Sequence, residues 1–185
     1  MSIDWDEYAI YDPGVSAPLN MLPRAEARAA FDRLMAARPA RVEMLRRLLK
    51  ANGLDLGTTD SAIQDLDDWL RTHVQEDPAH PGRLLPEWYS VVNDIALFLG
   101  ELMIQRRPAL RWTFHTGGRK NVSYQRHVLT GFDEVPNPRY NVDIDRLVAT
   151  YAHQIIEGQE IEQGTFYRLL QAVEGHQVGG GGSDT

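Results

Sequence analysis

The chain has 185 residues, 43% of them hydrophobic and 24% charged, with no cysteine and a formal net charge of −7. A chain of this size buries a full core without staples, and the absence of cysteine excludes disulfides, thiolate zinc and a thiol nucleophile, which suits a reducing cytoplasm. The acidic balance argues against bulk affinity for nucleic acid, and the longest apolar run, Ile95-Ala96-Leu97-Phe98-Leu99, falls far short of a membrane span.

Length and composition predict a single α+β domain over 23–175, preceded by an arm (1–22) and followed by a flexible Gly-rich tail (176–185). The arm has no helical period and carries Pro13, Gly14 and Pro18; Trp5, Tyr8, Ile10 and Tyr11 are its means of attachment. Its acidic start is unlike a signal peptide. Lys50 and Lys120 are the only lysines among 19 basic residues, a usage expected of a GC-rich bacterial genome.

A first helix is expected to open at Pro23, where a missing N–H costs nothing. Ala27, Phe31, Leu34 and Met35 form its stripe, and Pro39 is read as its end. A second helix would bury Leu45, Leu48 and Leu49 and stop at Asn52-Gly53. A third begins near Ser61, spaced with Gln64 as a capping box; Ile63, Leu66, Trp69, Leu70 and Val74 point inward, and Asp65, Asp67 and Asp68 mostly outward.

The fourth helix, Pro86 to about Gln105, is apolar on most sides and therefore central. Leu110–His115 alternates as a half-buried strand, and His127–Phe132 supplies its partner in a hairpin with a long basic tip. A fifth helix, about Val142 to Glu157, turns Ile144, Leu147, Val148, Tyr151 and Ile155 inward. A sixth opens at Thr165 as N-cap, buries Phe166, Leu169, Leu170 and Val173, and ends at Gly175. The expected fold is thus mainly helical, about six helices around an antiparallel hairpin or small sheet.

Residues 94–138 run from a helix bearing Gly100-Glu101, through a proline, to Leu110-Arg111-Trp112, Val128-Leu129-Thr130-Gly131-Phe132 and Asn137-Pro138. This order resembles small intracellular bacterial domains of unknown function, some of which sit among toxin–immunity and other interaction modules. The resemblance implies a binding role and carries no catalytic residue with it.

Two places could carry chemistry. Asp94 and Glu101, seven apart, share a face of the central helix. Two carboxylates there serve as an acid/base pair or cation ligands, or receive arginines such as Arg111 or Arg126 from the hairpin. The second place is the loop from Gly117 to Arg126, where Arg119, Lys120, Tyr124 and Arg126 could bind an anion, a base or a protein partner. It lacks the Gly-Lys-Ser/Thr ending of a P-loop. The histidines form no helical metal pair, although His115 and His127 could face each other across the hairpin, and no serine or threonine has a nucleophile's setting. No cofactor motif occurs.

The expected function is a non-catalytic protein-interaction module, immunity-like or regulatory, that docks through a charged surface of this cytoplasmic protein. The alternative is an enzyme or small anionic-ligand binder that uses Asp94 and Glu101 beneath the basic loop.

Overall fold

A computed structural model describes residues 3–5, 7–133, 135–137 and 139–173. The Gly-rich tail and the expected end of the last helix at Gly175 lie outside the described residues. The architecture is mainly helical α+β: α1 (Arg24–Ala51), α2 (Asp60–His73), α3 (Pro86–Arg106), β1 (Arg111–Phe114), β2 (His127–Thr130), α4 (Ile144–Ile156) and α5 (Thr165–Val173). No described helix is long and apolar enough to cross a membrane.

Among the described residues five α-helices stand where six are expected, because Pro39 lies inside α1 and does not end it. An interior proline forfeits one ladder hydrogen bond and crowds the preceding turn, at a cost of about 3 kcal/mol. The sequence on either side offsets this by keeping one face in phase: Ala27, Leu34, Arg41 and Leu48 recur every seven residues, and all are buried. A break at Pro39 would take the two halves of that stripe out of line.

Helix α3 is the beam of the molecule, with Trp88, Val91, Ile95, Leu97 and Leu99 fully enclosed. Helices α1 and α4 pack along it, and α2 with α5 closes the remaining side. Helix α2 is capped by the Thr59 side chain, which accepts from Ala62 N–H at 3.2 Å, not by Ser61. Asp67, expected to face outward, is wholly buried, and its Oδ2 accepts Thr165 N–H at 2.8 Å. A carboxylate from α2 thereby satisfies the first turn of α5, where the helix dipole favours negative charge. Leu147 makes the opposite correction: it is about half exposed on α4.

The hairpin is antiparallel, with Arg111 opposite Thr130 and Phe114 opposite His127. Trp112 lies so close over Gly100 of α3 that a Cβ at that position would stand 2.1 Å from the indole ring. His115 pairs through its backbone with Gln125 and Arg126, so it does not face His127 across the ladder.

Two anchors hold the arm against this body. Trp5 sets its ring edge-on to Trp88 at 5.5 Å. Gln125, at the end of the hairpin loop, donates from Nε2 to Leu19 O at 2.6 Å and to Leu22 O at 3.0 Å. It is buried with φ +62°, a left-handed conformation unusual for a side-chain-bearing residue. The two carbonyls it serves explain why the side chain is kept there.

Candidate functional site

The two central carboxylates do face one way, and both receive an arginine of α1; only Glu101 also touches the hairpin, through Trp112. Asp94 is fully buried and receives Arg41 on both oxygens, Nε to Oδ1 at 2.9 Å and Nη2 to Oδ2 at 2.6 Å. Tyr8 donates its hydroxyl to Asp94 Oδ2. Arg41 also donates to Ser90 Oγ at 2.9 Å and to Ala9 O at 2.7 Å, and Ser90 Oγ accepts Tyr11 N–H at 2.8 Å. Burial pushes the Asp94 carboxyl up, and the hydrogen bonds from Arg41 and Tyr8 pull against it. Burial beside Asp94 drives the Tyr8 phenol far above its ordinary value, so it remains a donor.

Glu101 sits seven residues along, held by Arg38 Nε at 2.9 Å and by Trp112 Nε1–H at 3.0 Å. Arg111 and Arg126, the partners expected from sequence, serve neither carboxylate. Arg126 is taken by Asp143 at 2.7 Å and by Asp145, both at the start of α4. Burial alone would raise Asp143; the Arg126 guanidinium and the Arg146 N–H reverse this and hold it below the usual carboxylate range. Asp143 is also the N-cap of α4, so this pair locks the hairpin to that helix.

Arg119 and Lys120 stand exposed on the loop without an acid within 4 Å among the described residues, and Tyr124 is partly buried. The structure therefore separates the four loop residues. Two are free cations, one is half-packed, and Arg126 belongs to an internal ion-pair network.

The larger concavity lies elsewhere. A groove of about 710 Å³ runs between the arm, α1, α3, the hairpin and α4. Its walls are mostly apolar: Ile10 and Leu19 from the arm, Phe31 and Leu34 from α1, Val122 from the loop and Ala149 from α4. Polar groups line it as well, among them Asn93, Arg126, His127, Asp145, Arg146 and His153, with Arg126 paired to Asp145.

His127 is 5% exposed, and its Nε2 has no hydrogen-bond partner among the described residues. Burial lowers its pKa, with Arg126 pushing the same way and Asp145 and Asp143 opposing, so the ring is neutral at pH 7. His153 Nδ1 meets Ala149 O at 2.8 Å; a carbonyl only accepts, so that nitrogen carries the proton.

Sequence reasoning missed the groove because its walls come from five separate segments. It also missed Arg41, although an arginine in phase with Ala27, Leu34 and Leu48 was a readable signal of an inward charge awaiting a partner. Among the described residues no group of three His, Asp or Glu side chains is arranged to hold a metal ion. Comparison with protein-family models, curated proteins and solved structures finds no match to this chain.

Proposed function

We propose that this is a non-catalytic binding protein that takes a small, mainly apolar organic molecule into the groove between its arm and α4. The observation that carries this reading is the groove itself: about 710 Å³, mostly apolar, with a minority of polar groups in its lining. Small-molecule sites span roughly 300–1,000 Å³ and have this division of labour between apolar walls and a few orienting polar groups. The Arg41–Asp94–Tyr8 cluster supports it by seating the arm, which forms one wall. With both Asp94 oxygens occupied by neighbours, the cluster acts as a structural anchor and leaves the chemistry of recognition to the groove.

The test is fluorescence titration with the neutral dye Nile red, on wild type and on Thr150→Trp, which places an indole in the groove from an exposed position. Saturable uptake by wild type that is abolished in the variant is expected. Equal uptake by both would remove the groove from the function.

A second reading rests on Arg119 and Lys120, exposed beside Val122, which is 61% exposed. They form a cationic tip suited to steering an acidic protein partner, as an immunity-like or regulatory module would use. Capture from host lysate by wild type and by Arg119→Glu/Lys120→Glu tests it; identical catches would end it. In either reading the protein works in the cytoplasm of a GC-rich bacterium, as the missing cysteines and the preference for arginine over lysine suggest.

A further inference from the structure

Resting on the second reading, in which the cationic hairpin is a docking surface, we propose that the partner presents an acidic, extended segment that joins the sheet as a third strand along the free edge of β1. The pairing pattern shows where that edge points. Leu129 of β2 commits both backbone groups to Val142, its N–H donating to Val142 O at 2.8 Å and its O accepting Val142 N–H at 3.0 Å. Trp112, which stands opposite Leu129, therefore shares no backbone hydrogen bond with it. Antiparallel ladders alternate bonded and non-bonded pairs. Phe114 opposite His127 is likewise non-bonded, and His115 N–H donates to Arg126 O at 2.9 Å as the alternation requires.

The N–H and C=O of Trp112 and of Phe114 thus point away from β2, and none of the four has a hydrogen-bond partner among the described residues. No helix or other strand runs beside β1 among those residues. Folded chains seldom leave main-chain groups unpaired away from water, so this edge is open to solvent. A row of such groups is a template for a further strand. The side chains hold it ready: Trp112 lies on Gly100 and Phe114 packs its ring 5.7 Å from that of Phe31, which fixes β1 in place before any partner arrives.

Charge decides which strand fits. Between Arg111 and Arg126 the chain carries four cations and no acid. Asp143 and Asp145 hold Arg126 and together cancel two charges, which leaves the hairpin a surplus of two. Arg111 is exposed at the start of β1, and Arg119 and Lys120 are exposed on the loop that follows it; none of the three has a carboxylate within 4 Å among the described residues. At physiological salt the net charge of −7 is screened beyond about 8 Å, so a strand laid along β1 responds to these nearby cations. Opposite charges on paired strands are favourable and like charges are not. The edge accordingly selects an acidic strand and rejects β1 of a second copy, whose hairpin carries the same surplus.

Capped eight-residue peptides, titrated into the full chain and followed by NMR, test this. One alternates glutamate with valine, one replaces the glutamates by lysine, and two are glutamate forms N-methylated on one or the other alternate set of residues. In the free chain the Trp112 and Phe114 amides should exchange fast and Thr113 slowly; saturation with the glutamate peptide should slow the first two at least tenfold. The glutamate peptide should bind roughly tenfold or more tighter than the lysine one, the scale of one charge-assisted contact. One N-methylated form should bind like the parent and the other roughly tenfold or more weakly, since only one set of peptide N–H groups faces Trp112 O and Phe114 O. Arg111→Glu/Arg119→Glu/Lys120→Glu, all at exposed positions, should reverse the preference between glutamate and lysine peptides. Slow exchange of Trp112 and Phe114 in the free chain, equal binding of the two N-methylated forms, or no binding of the glutamate peptide at millimolar concentration would overturn strand addition. Equal binding of those two forms that the triple charge reversal abolishes would still uphold the hairpin as a docking surface. Glutamate and lysine peptides binding alike would remove the two readings together.

Discussion

Replacing Arg41 by Met removes six donor contacts at once: two to Asp94 and one each to Ser90, Tyr8, Ala9 O and Met44 Sδ. The methionine fills most of the space but leaves the Asp94 carboxylate, fully buried, with Tyr8 as its remaining strong donor. Breaking a buried pair from one side costs about 3–5 kcal/mol, because the surviving charge has lost both water and partner. At 2–4 °C per kcal/mol for a chain of this length, the melting point should fall by roughly 6–20 °C. Urea denaturation gives the free energy directly, provided the slope is unchanged. Adding Asp94→Leu removes the stranded charge and should recover more than half of the loss. Limited proteolysis supplies a second readout: residues 9–20 should be cut faster in Arg41→Met, since Ala9 O loses its donor and Tyr8 one of its partners. A loss below about 1 kcal/mol, the scale of an exposed ion pair, would refute the view that this cluster seats the arm.

Gly100→Ala should cost about 1–3 kcal/mol, since its methyl would collide with the Trp112 indole and push the hairpin off α3; chemical denaturation measures it, and an unchanged midpoint would contradict the contact. Asp67→Ala should cost roughly 1–2 kcal/mol by uncapping α5, with earlier amide exchange at Thr165 and Phe166 as its signature. Because burial depresses the His127 pKa in the folded state, the unfolded chain binds the extra proton first as pH falls below about 6.5. Stability from this residue is therefore complete above that pH and lost progressively below it. The decline in urea midpoint between pH 7 and pH 5 should be shallower in His127→Gln.

Much of the fold was readable along the chain because it follows from local periodicity. Helix α3, the strands and the spans of α2, α4 and α5 all appear within a few residues of where apolar spacing and breakers place them. The exception in α1 is instructive. Pro39 is a strong local stop signal, yet the stripe Ala27–Leu34–Arg41–Leu48 packs against α3 as a unit, and tertiary contact outweighs the local penalty. Asp67 and Leu147 were misplaced for the same reason: helical phase shows which residues share a face, but the neighbouring elements decide which faces are covered.

The site was less legible. The two carboxylates of α3 were found from their spacing, because a seven-residue interval returns a helix to the same side. Their partners were not, since Arg41 and Tyr8 lie 53 and 86 residues from Asp94 and no local rule joins them. The groove is more remote still, being a gap left between five segments.

By itself, then, the order of residues determined the helices, the hairpin, the anionic balance and the absence of thiol chemistry, all of which depend on near neighbours or on composition. Only the tertiary structure decided that Arg126 would be tied to α4, that Arg41 would enclose Asp94, and that the arm, α1, α3, the hairpin and α4 would border one cavity. Pairing and cavity formation are set by packing between distant segments, and a linear pattern carries no record of which surfaces meet.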